Sequence, residues 1–248
     1  MRYFIKLSYF GKNFHGWQNQ PNAVSVQEII ENSLSLLLKD STKIVGAGRT
    51  DAGVHAKEMF AHFDTKIIFE KETLMHKLNS FLPKDIAIHD IFSVHDDAHA
   101  RFDAVSRTYE YWMHNKKNPF LTDLSWHFHK DLDTDLMNIA AKILLNYENF
   151  KSFSRTHTDV KTYVCRIDKA FFEKKGDLLI FTITADRFLR NMVRAIVGTL
   201  IEVGLHKIGL EELQQIIEAK DRQKAGFSVP ARGLYLTKIK YPENIRKK

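Results

Sequence analysis

The order of strand and helix patterns in the first half of the chain restricts its fold more than any other feature of the sequence. Residues 2–10 place Tyr3, Ile5, Leu7 and Tyr9 on one face, which is the period of a β-strand. A capping-box pattern at residues 25–28 then precedes an apolar helical stripe. The patterns that follow predict strands at 42–47 and 54–65, a helix at 71–80 that ends before Pro83, and a strand at 86–94. The first half therefore reads βαββαβ, a ferredoxin-like plan with an antiparallel sheet.

The second half repeats this order more loosely. It predicts a strand at 106–114, a helix at 133–146 opened by Asp133 or Thr134, strands at 161–173 and 177–185, helices at 187–203 and 210–219, and a closing strand at 233–241. We therefore predict an α+β fold with two ferredoxin-like halves, residues 1–104 and 105–248. Their largely antiparallel sheets are expected to join around a central cleft.

The composition bounds the compartment and the partners of the chain. It has 248 residues, a formal net charge of +7 and one cysteine, Cys165. A single cysteine excludes an internal disulfide and a cysteine-based zinc site, and it favours a cytoplasmic location. No run approaches the roughly 18 apolar residues of a membrane span, and the opening MRYFIKLSYF predicts a strand rather than a signal peptide. The positive charge is compatible with a nucleic-acid partner, but also with solubility alone.

Residues 46–56, GAGRTDAGVHA, surround one carboxylate, Asp51, and one guanidinium, Arg49, with very small residues. The segment lacks the third glycine of GxGxxG and the Gly-Lys-Ser/Thr of a P-loop, so neither nucleotide motif applies. Glycines permit a tight turn, and they also let a ligand approach the backbone closely. A carboxylate is ordinarily ionised at neutral pH and can act as a nucleophile without an activating base. The segment alone leaves a plain turn and a catalytic loop as alternatives.

The predicted helix at 187–203 contains a second candidate. Apolar side chains cover most of its circumference, which is typical of a buried helix, and they leave a narrow polar arc with Arg194 near its middle. This arc either faces water or, with the small Gly198 one turn further on, faces a cleft in which Arg194 pairs with a carboxylate. A bidentate pair of this kind would fix the orientation of the acid.

Aromatic side chains form the third candidate. The predicted strand at 106–114 places Tyr109, Tyr111 and Met113 on one face. Such a face usually belongs to the core, but a tyrosine beside basic residues also stacks unpaired bases. The loop residues Phe14–Gln18 leave a similar choice between an anchor of the loop and an RNA contact.

Five segments, taken in chain order, resemble the TruA family of tRNA pseudouridine synthases. They are YFGKNFHGWQ from residue 9, GRTDAGVHA from residue 48, ARFDA with SRTYEYW from residue 100, FLRNMVR from residue 188 and GLYL from residue 233. GRTDAGVHA is the most specific of them. The resemblance runs from residue 3 to residue 242, and so it covers essentially the whole chain.

The resemblance implies cofactor-free, metal-free isomerisation of uridine to pseudouridine at positions 38–40 of the tRNA anticodon stem-loop. It also implies a homodimer whose subunits share each tRNA, an RNA-binding cleft, and no membrane. By this match Asp51 is the catalytic aspartate, Tyr109 lies near the uracil, and Arg194 is the salt-bridge partner of Asp51. Arg49 would fill the place of the displaced nucleotide or stabilise it. Attack on C1′, addition to the uracil ring and removal of the 2′ proton all stay open as roles for Asp51.

Other functions stay open for the residues themselves. A non-catalytic RNA-binding module would need the aromatic and basic residues but no special acid. A nucleoside hydrolase or glycosylase would use the same carboxylate and release free uracil. A nuclease is disfavoured because no clustered acids suit two metal ions. The histidine pairs at 95/99 and 127/129 have no third ligand that would complete a zinc site.

Overall fold

The computed structural model describes residues 1–156 and 160–247, which form two compact α+β units with mostly antiparallel strands. The first unit comprises Met1–Val105 and the residues from Leu236 onward, and the second comprises Ser106–Tyr235. In chain order the strands and α-helices of the described residues are β1 (Arg2–Tyr9), α1 (Val26–Leu38), β2 (Ile44–Gly46), β3 (His55–Asp64), α2 (Lys71–Phe81), β4 (Ile86–Val94), β5 (Ser106–His114), β6 (Trp126–His127), α3 (Thr134–Ile143), β7 (Ile167–Lys175), β8 (Leu178–Ala185), α4 (Met192–Gly204), α5 (Leu210–Glu218) and β9 (Leu234–Lys240).

The first unit has the predicted element order and a largely antiparallel sheet. Strand β1 lies between β3 and β4 and is antiparallel to both, and β2 pairs with the end of β3. The last strand, β9, returns to lie beside β3. The predicted alternation in β1 holds at Ile5, Leu7 and Tyr9, which are buried, but Phe4 on the opposite face is buried as well. The predicted N-cap Ser25 opens α1, where its hydroxyl accepts a hydrogen bond from Glu28 N at 3.1 Å.

The second unit is built on β5, β8 and β7. Strand β8 lies between the other two and is antiparallel to both, with a tight turn at Gly176 (φ +59°) joining β7 to β8. The two-residue strand β6, which the sequence patterns did not predict, runs parallel to β5. Helix α3 is capped at its start by Asp133, whose carboxylate accepts a hydrogen bond from Leu136 N at 2.9 Å.

Three predicted boundaries in the second unit are wrong. The long helix begins at Met192 rather than at 187, because Asn191 is in the left-handed region (φ +68°) and the Arg190 carbonyl accepts from Arg155 N at 3.0 Å. Strand β7 begins at Ile167 rather than at 161. Helix α3 ends at Ile143, and its last predicted turn is a tighter 3₁₀ turn at Leu144–Asn146. Within the described part of the chain, no helix is both long and apolar enough to span a bilayer.

Candidate active site

Residues 47–54, here the Asp51 loop, connect β2 to β3 in the first unit. The loop is attached at its start by Ala47 N, which donates to Phe60 O at 2.8 Å, and it closes on itself where Val54 N donates to Asp51 O at 3.2 Å. Asp51 is half-buried, whereas Arg49 is exposed. The candidate acid is therefore held by a folded loop at the edge of the core.

Residues 10–20, here the Trp17 loop, support the Asp51 loop from one side. Gly53 N donates to Phe14 O at 3.3 Å, and Trp17 N donates to Thr50 O at 3.4 Å. Gly16 has φ +92°, and a Cβ atom added there would collide with the carbonyl oxygen of Thr50. Only glycine accommodates both this conformation and this approach.

For Phe14–Gln18 the sequence left open an anchor of the loop or an RNA contact, and the structure resolves this choice for the largest residue, Trp17. Trp17 is 2% exposed and Phe14 is 6% exposed, so both anchor the loop in the core. The indole lies against Gly46 in β2, where an added Cβ would collide with it. His15 and Gln18 are exposed. The buried half of the motif is therefore a brace for the Asp51 loop.

His55 supplies a contact that the sequence analysis missed. Its Nδ1 atom accepts a hydrogen bond from Gly11 N at 2.9 Å, and its ring stacks on Phe10 with centroids 4.4 Å apart. The Tyr9 and Thr50 hydroxyls are hydrogen-bonded to each other at 2.9 Å. The two segments YFGKNFHGWQ and GRTDAGVHA thus fold as one structure, and only their joint occurrence in the sequence hinted at this.

The outward side of the Asp51 loop leaves room for a ligand. A Cβ added at Gly48 would meet no atom within 4 Å, and Ala52 is exposed. A half-buried carboxylate held beside small residues can attack an electrophilic carbon, accept a proton or stabilise positive charge on a bound sugar. The loop thus presents a half-buried carboxylate beside open space, and its choice between a plain turn and a catalytic loop stays a prediction.

In the second unit, Tyr109 and Tyr111 share a face of β5 but have different surroundings. Tyr109 is half-buried, pairs with Ile183 across to β8, and meets Phe188 edge-on at 5.1 Å and 85°.

Tyr111 is fully buried and donates to Pro230 O at 2.9 Å. Burial raises the pKa of Tyr111 strongly, although the nearby cations Arg194 and Arg232 act in the opposite direction. Tyr111 is therefore a core residue, whereas Tyr109 is partly exposed.

Arg194 lies on α4 under a segment that covers the polar arc of the helix. This segment, residues 225–230, passes over α4 so that Arg194 Nε donates to Val229 O at 2.7 Å while Val229 N donates to Arg194 O at 3.3 Å. Gly198 admits the carbonyl of Phe227, which a Cβ would overlap. The arc does not simply face water at these positions, and the small Gly198 serves the close approach of the 225–230 segment.

A further arginine, which sequence reasoning did not single out, completes this arrangement. Arg222 donates through Nη1 to Gly226 O at 3.0 Å and through Nη2 to the Ser228 hydroxyl at 2.9 Å. The same hydroxyl accepts from Asn191 Nδ2 at 2.7 Å. The side chains of Arg222 and Asn191 therefore both hold the Ser228 hydroxyl in place.

The four predicted site residues are divided between the units. Asp51 and Arg49 belong to the first, and Tyr109 and Arg194 to the second. The pairing of Asp51 with Arg194 stays a prediction. Among residues 1–156 and 160–247, no three His, Cys, Asp or Glu side chains are grouped so as to hold a metal ion.

Comparison with known proteins places these segments in a family pattern. A family model described as tRNA pseudouridine synthase matches residues 6–103 and 140–242. Arg49, Asp51 and Arg194 lie inside these ranges, and Tyr109 lies between them.

Curated relatives match over almost the full length. The tRNA pseudouridine synthase A of Parabacteroides distasonis is 54% identical over 245 residues, which cover 98% of this chain and 97% of the relative. That of Bacteroides thetaiotaomicron is 50% identical over 247 residues, covering 98% and 92%. That of Dictyoglomus thermophilum is 43% identical over 247 residues, covering 96% and 98%.

Proposed function

This chain belongs to the tRNA pseudouridine synthase family and is an isomerase of tRNA processing, and from that premise we propose that it converts uridine to pseudouridine in the anticodon stem-loop with Asp51 as its catalytic residue. The target positions in this proposal are 38–40 of the tRNA. The observation that carries the choice of Asp51 is its place in a braced loop: the acid is half-buried, and the Trp17 loop holds the residues on either side of it.

The reaction requires one bond to break and another to form within a single nucleotide. The N1–C1′ bond breaks, the uracil turns, and C5 bonds to C1′; C5 loses a proton and N1 gains one. The balance needs no redox partner. The target base must first leave its stack, which costs a few kcal/mol, and so base flipping is part of the proposal. Asp51 then acts at the sugar or the ring, where a fixed carboxylate stabilises positive charge developing at C1′.

The other candidate residues receive supporting roles in this proposal. Tyr109, half-buried on β5, stacks on the uracil or helps to move the C5 proton. Arg194 forms the salt bridge that orients Asp51, and its guanidinium suits this role because a planar fork grips a carboxylate at two points. Arg49, exposed on the Asp51 loop, stabilises the displaced nucleotide.

The architecture that goes with this function has two ferredoxin-like halves, residues 1–104 with the catalytic loop and residues 105–248 with the tyrosine and the arginine. The order β1-α1-β2-β3-α2-β4 supports the first half, and the order β5-β6-α3-β7-β8-α4-α5-β9 supports the second with the short strand β6 and one helix added. In the structure, β9 from Leu236 onward groups with the first unit. We further propose an RNA-binding cleft at the active site, a cytoplasmic location and a homodimer that shares each tRNA. No cofactor is required by the proposed chemistry.

Chemical mapping of pseudouridine in a tRNA transcript incubated with the purified protein tests reaction type and position together. We expect new pseudouridine at one or more of positions 38–40. Modification confined to another arm of the tRNA would contradict the anticodon stem-loop proposal and leave the family assignment intact. A mass balance on the same sample separates the isomerase from a glycosylase, since a glycosylase would release free uracil and leave an abasic site.

A further inference from the structure

Glu31 is a buried carboxylate in the middle of α1. Its side chain is 4% exposed, and the apolar periodicity of the helix does not account for an acid at this position. A carboxylate removed from water is costly unless hydrogen-bond donors replace the solvent. The donors that Glu31 has gathered therefore indicate what the residue is for.

Four donors surround the Glu31 carboxylate, and only one of them is from its own helix. They are Ile44 N at 3.1 Å, Asn19 Nδ2 at 3.0 Å, Gln27 Nε2 at 3.1 Å and Lys43 Nζ at 3.0 Å. Lys43 is 76% exposed, so its ion pair is weak by comparison with the buried hydrogen bond from Ile44 N. The network is therefore directed at two segments outside the helix, the start of β2 and the Trp17 loop.

The first connection holds the strand that enters the Asp51 loop. Glu31 accepts from the backbone N–H of Ile44, and Gln27 Nε2 donates to the carbonyl of the same residue at 2.9 Å. Both main-chain groups of the first residue of β2 are thus held by side chains of α1. Two residues later β2 ends at Gly46, and the Asp51 loop begins.

The second connection holds the loop that braces Asp51. Asn19 donates to Glu31, accepts from the Ser25 hydroxyl at 2.6 Å, and through its backbone N–H donates to Gln27 Oε1 at 3.2 Å. Two residues earlier, Trp17 packs on Gly46 and donates from its backbone to Thr50. The Glu31 carboxylate therefore connects β2, which leads into the Asp51 loop, with the Trp17 loop, which supports it.

We propose that Glu31 is a positioning residue for the catalytic carboxylate. It fixes the spacing between β2 and the Trp17 loop, and this spacing sets where the Asp51 side chain lies relative to the bound nucleotide. The inference rests on the proposed function of Asp51. Glu31 does not touch substrate and acts only through the segments it binds. A well-packed apolar residue would serve stability as well as a buried acid does, and so a geometric role accounts better for the network.

The test compares Glu31→Gln with Glu28→Gln, a matched change at an exposed position of the same helix. In Glu31→Gln one carboxylate oxygen becomes an NH2 group that faces donors, while the amide oxygen still accepts, so one of the two connections is lost. We expect kcat to fall by roughly 10- to 100-fold, because a displacement of about 1 Å at a catalytic group has effects of this size. KM for tRNA and the fold, checked by thermal melting, should stay as in the control.

A spectroscopic signal distinguishes positioning from stability. Trp17 is one of three tryptophans, so its resonance can be assigned in protein labelled with 5-fluorotryptophan. The ¹⁹F resonance of Trp17 should shift or broaden in Glu31→Gln and not in Glu28→Gln. The double variant Asn19→Asp with Glu31→Gln restores a hydrogen bond of reversed polarity between the two positions, and it should recover part of the lost kcat.

The outcomes separate this inference from the function on which it rests. If Asp51→Asn is inactive and Glu31→Gln has the kcat of the Glu28→Gln control, the positioning role is wrong and the catalytic role of Asp51 stands. A kcat loss that disappears when the assay is cooled well below the melting temperature would show stability alone, and would also overturn the inference. Should Glu31→Gln fail to fold, Asn19→Leu removes the side-chain hydrogen bonds of the Trp17 loop to Glu31 and Ser25 but keeps the bond from Ile44 N to Glu31, and it is expected to lower kcat in a folded protein.

Discussion

The Asp51 loop and the 225–230 segment are both irregular stretches laid against regular structure, but they are held in different ways. The Asp51 loop is held mainly by backbone hydrogen bonds to residues 14–17. This contact also depends on Gly16, whose positive φ favours glycine. The 225–230 segment is held by long side chains, with Arg194 and Tyr111 binding consecutive carbonyls at Val229 and Pro230. The first arrangement positions one acid, whereas the second closes the surface of a buried helix. Substitutions in the two regions should therefore fail in different ways, one in turnover and the other in folding.

The largest expected effect is on turnover, at Asp51 itself. Asp51→Asn keeps the size of the side chain and one acceptor oxygen but removes the charge that the proposed chemistry uses. We expect pseudouridine formation to fall by roughly 10⁴-fold or more, as for other removed nucleophiles, with tRNA binding retained in a filter-binding assay. Full turnover by this variant would remove Asp51 from the mechanism.

The next effect is on folding, in the second unit. Gly198→Ala places a methyl group where the Phe227 carbonyl packs against α4, and neither the buried helix nor the backbone can move cheaply. We expect the free energy of unfolding to fall by about 3 kcal/mol or more, measured by urea denaturation. Gly209→Ala is the control, because a Cβ there meets no atom within 4 Å. Equal stability of the two variants would mean that the 225–230 segment is not closely packed on α4.

These two regions also differ in how much of them the sequence predicts. The Asp51 loop is a local feature: its glycines, its acid and the capped helix before it all lie within a stretch of about thirty residues, and the pattern singled out Asp51 and Arg49 together. The element order of the first unit was equally legible, since period and capping signals are local. The sequence did not indicate that Trp17 and His55 brace the loop, because periodicity says nothing about which loops touch.

The second unit was harder to predict because its determinants are distant in sequence. Periodicity extended α4 back to residue 187, since it cannot detect that Asn191 adopts a left-handed conformation and that Arg190 is bonded to Arg155. The covering of Arg194 by residues that follow about thirty-five positions later is likewise a long-range contact. Glu31 was missed for a related reason. An acid on a helix with an apolar stripe is ordinarily assigned to the exposed face unless the hydrogen-bond donors around it are known.

Acid should destabilise the first unit through His62. Burial lowers the pKa of His62 in β3 to about 4, and its Nδ1 accepts from Ala100 N at 3.1 Å. The unfolded state, with an ordinary histidine pKa of 6.5, therefore binds a proton that the folded state does not between pH 6.5 and 4. Stability is full above pH 6.5 and falls as the pH is lowered toward 4, by at most about 3 kcal/mol.

Denaturation at a series of pH values measures this loss. His62→Gln should flatten the dependence, and His89→Gln, at an exposed position of the same unit, should not. A wild-type stability that stays constant from pH 6.5 to 4 would contradict the burial of a neutral His62.

A smaller effect returns to turnover at the brace of the Asp51 loop. Gly16→Ala both strains a backbone with φ +92° and pushes against the Thr50 carbonyl, next to Asp51. We expect kcat to fall by roughly 10-fold or somewhat more through displacement of the acid, with a stability cost of about 1–3 kcal/mol from backbone strain. Gly176→Ala is a matched control, since it has positive φ (+59°) but open space around the added Cβ. If both variants lose stability and neither loses kcat, the Trp17 loop does not position Asp51.

Arg194→Lys tests a residue that is expected to affect both folding and turnover. Arg194 fixes the 225–230 segment, and it is also the proposed partner of Asp51. Lysine keeps the charge but replaces a planar fork of five N–H donors by a single ammonium group. It cannot donate to the Val229 carbonyl as Nε does at 2.7 Å and also grip a carboxylate at two points. We therefore expect kcat to fall by about 10-fold, with Arg166→Lys, at an exposed position, as the control. Single-turnover kinetics combined with urea denaturation separates the two roles: lost stability with unchanged kcat would assign Arg194 to the 225–230 segment alone, and the bidentate pairing with Asp51 would be wrong.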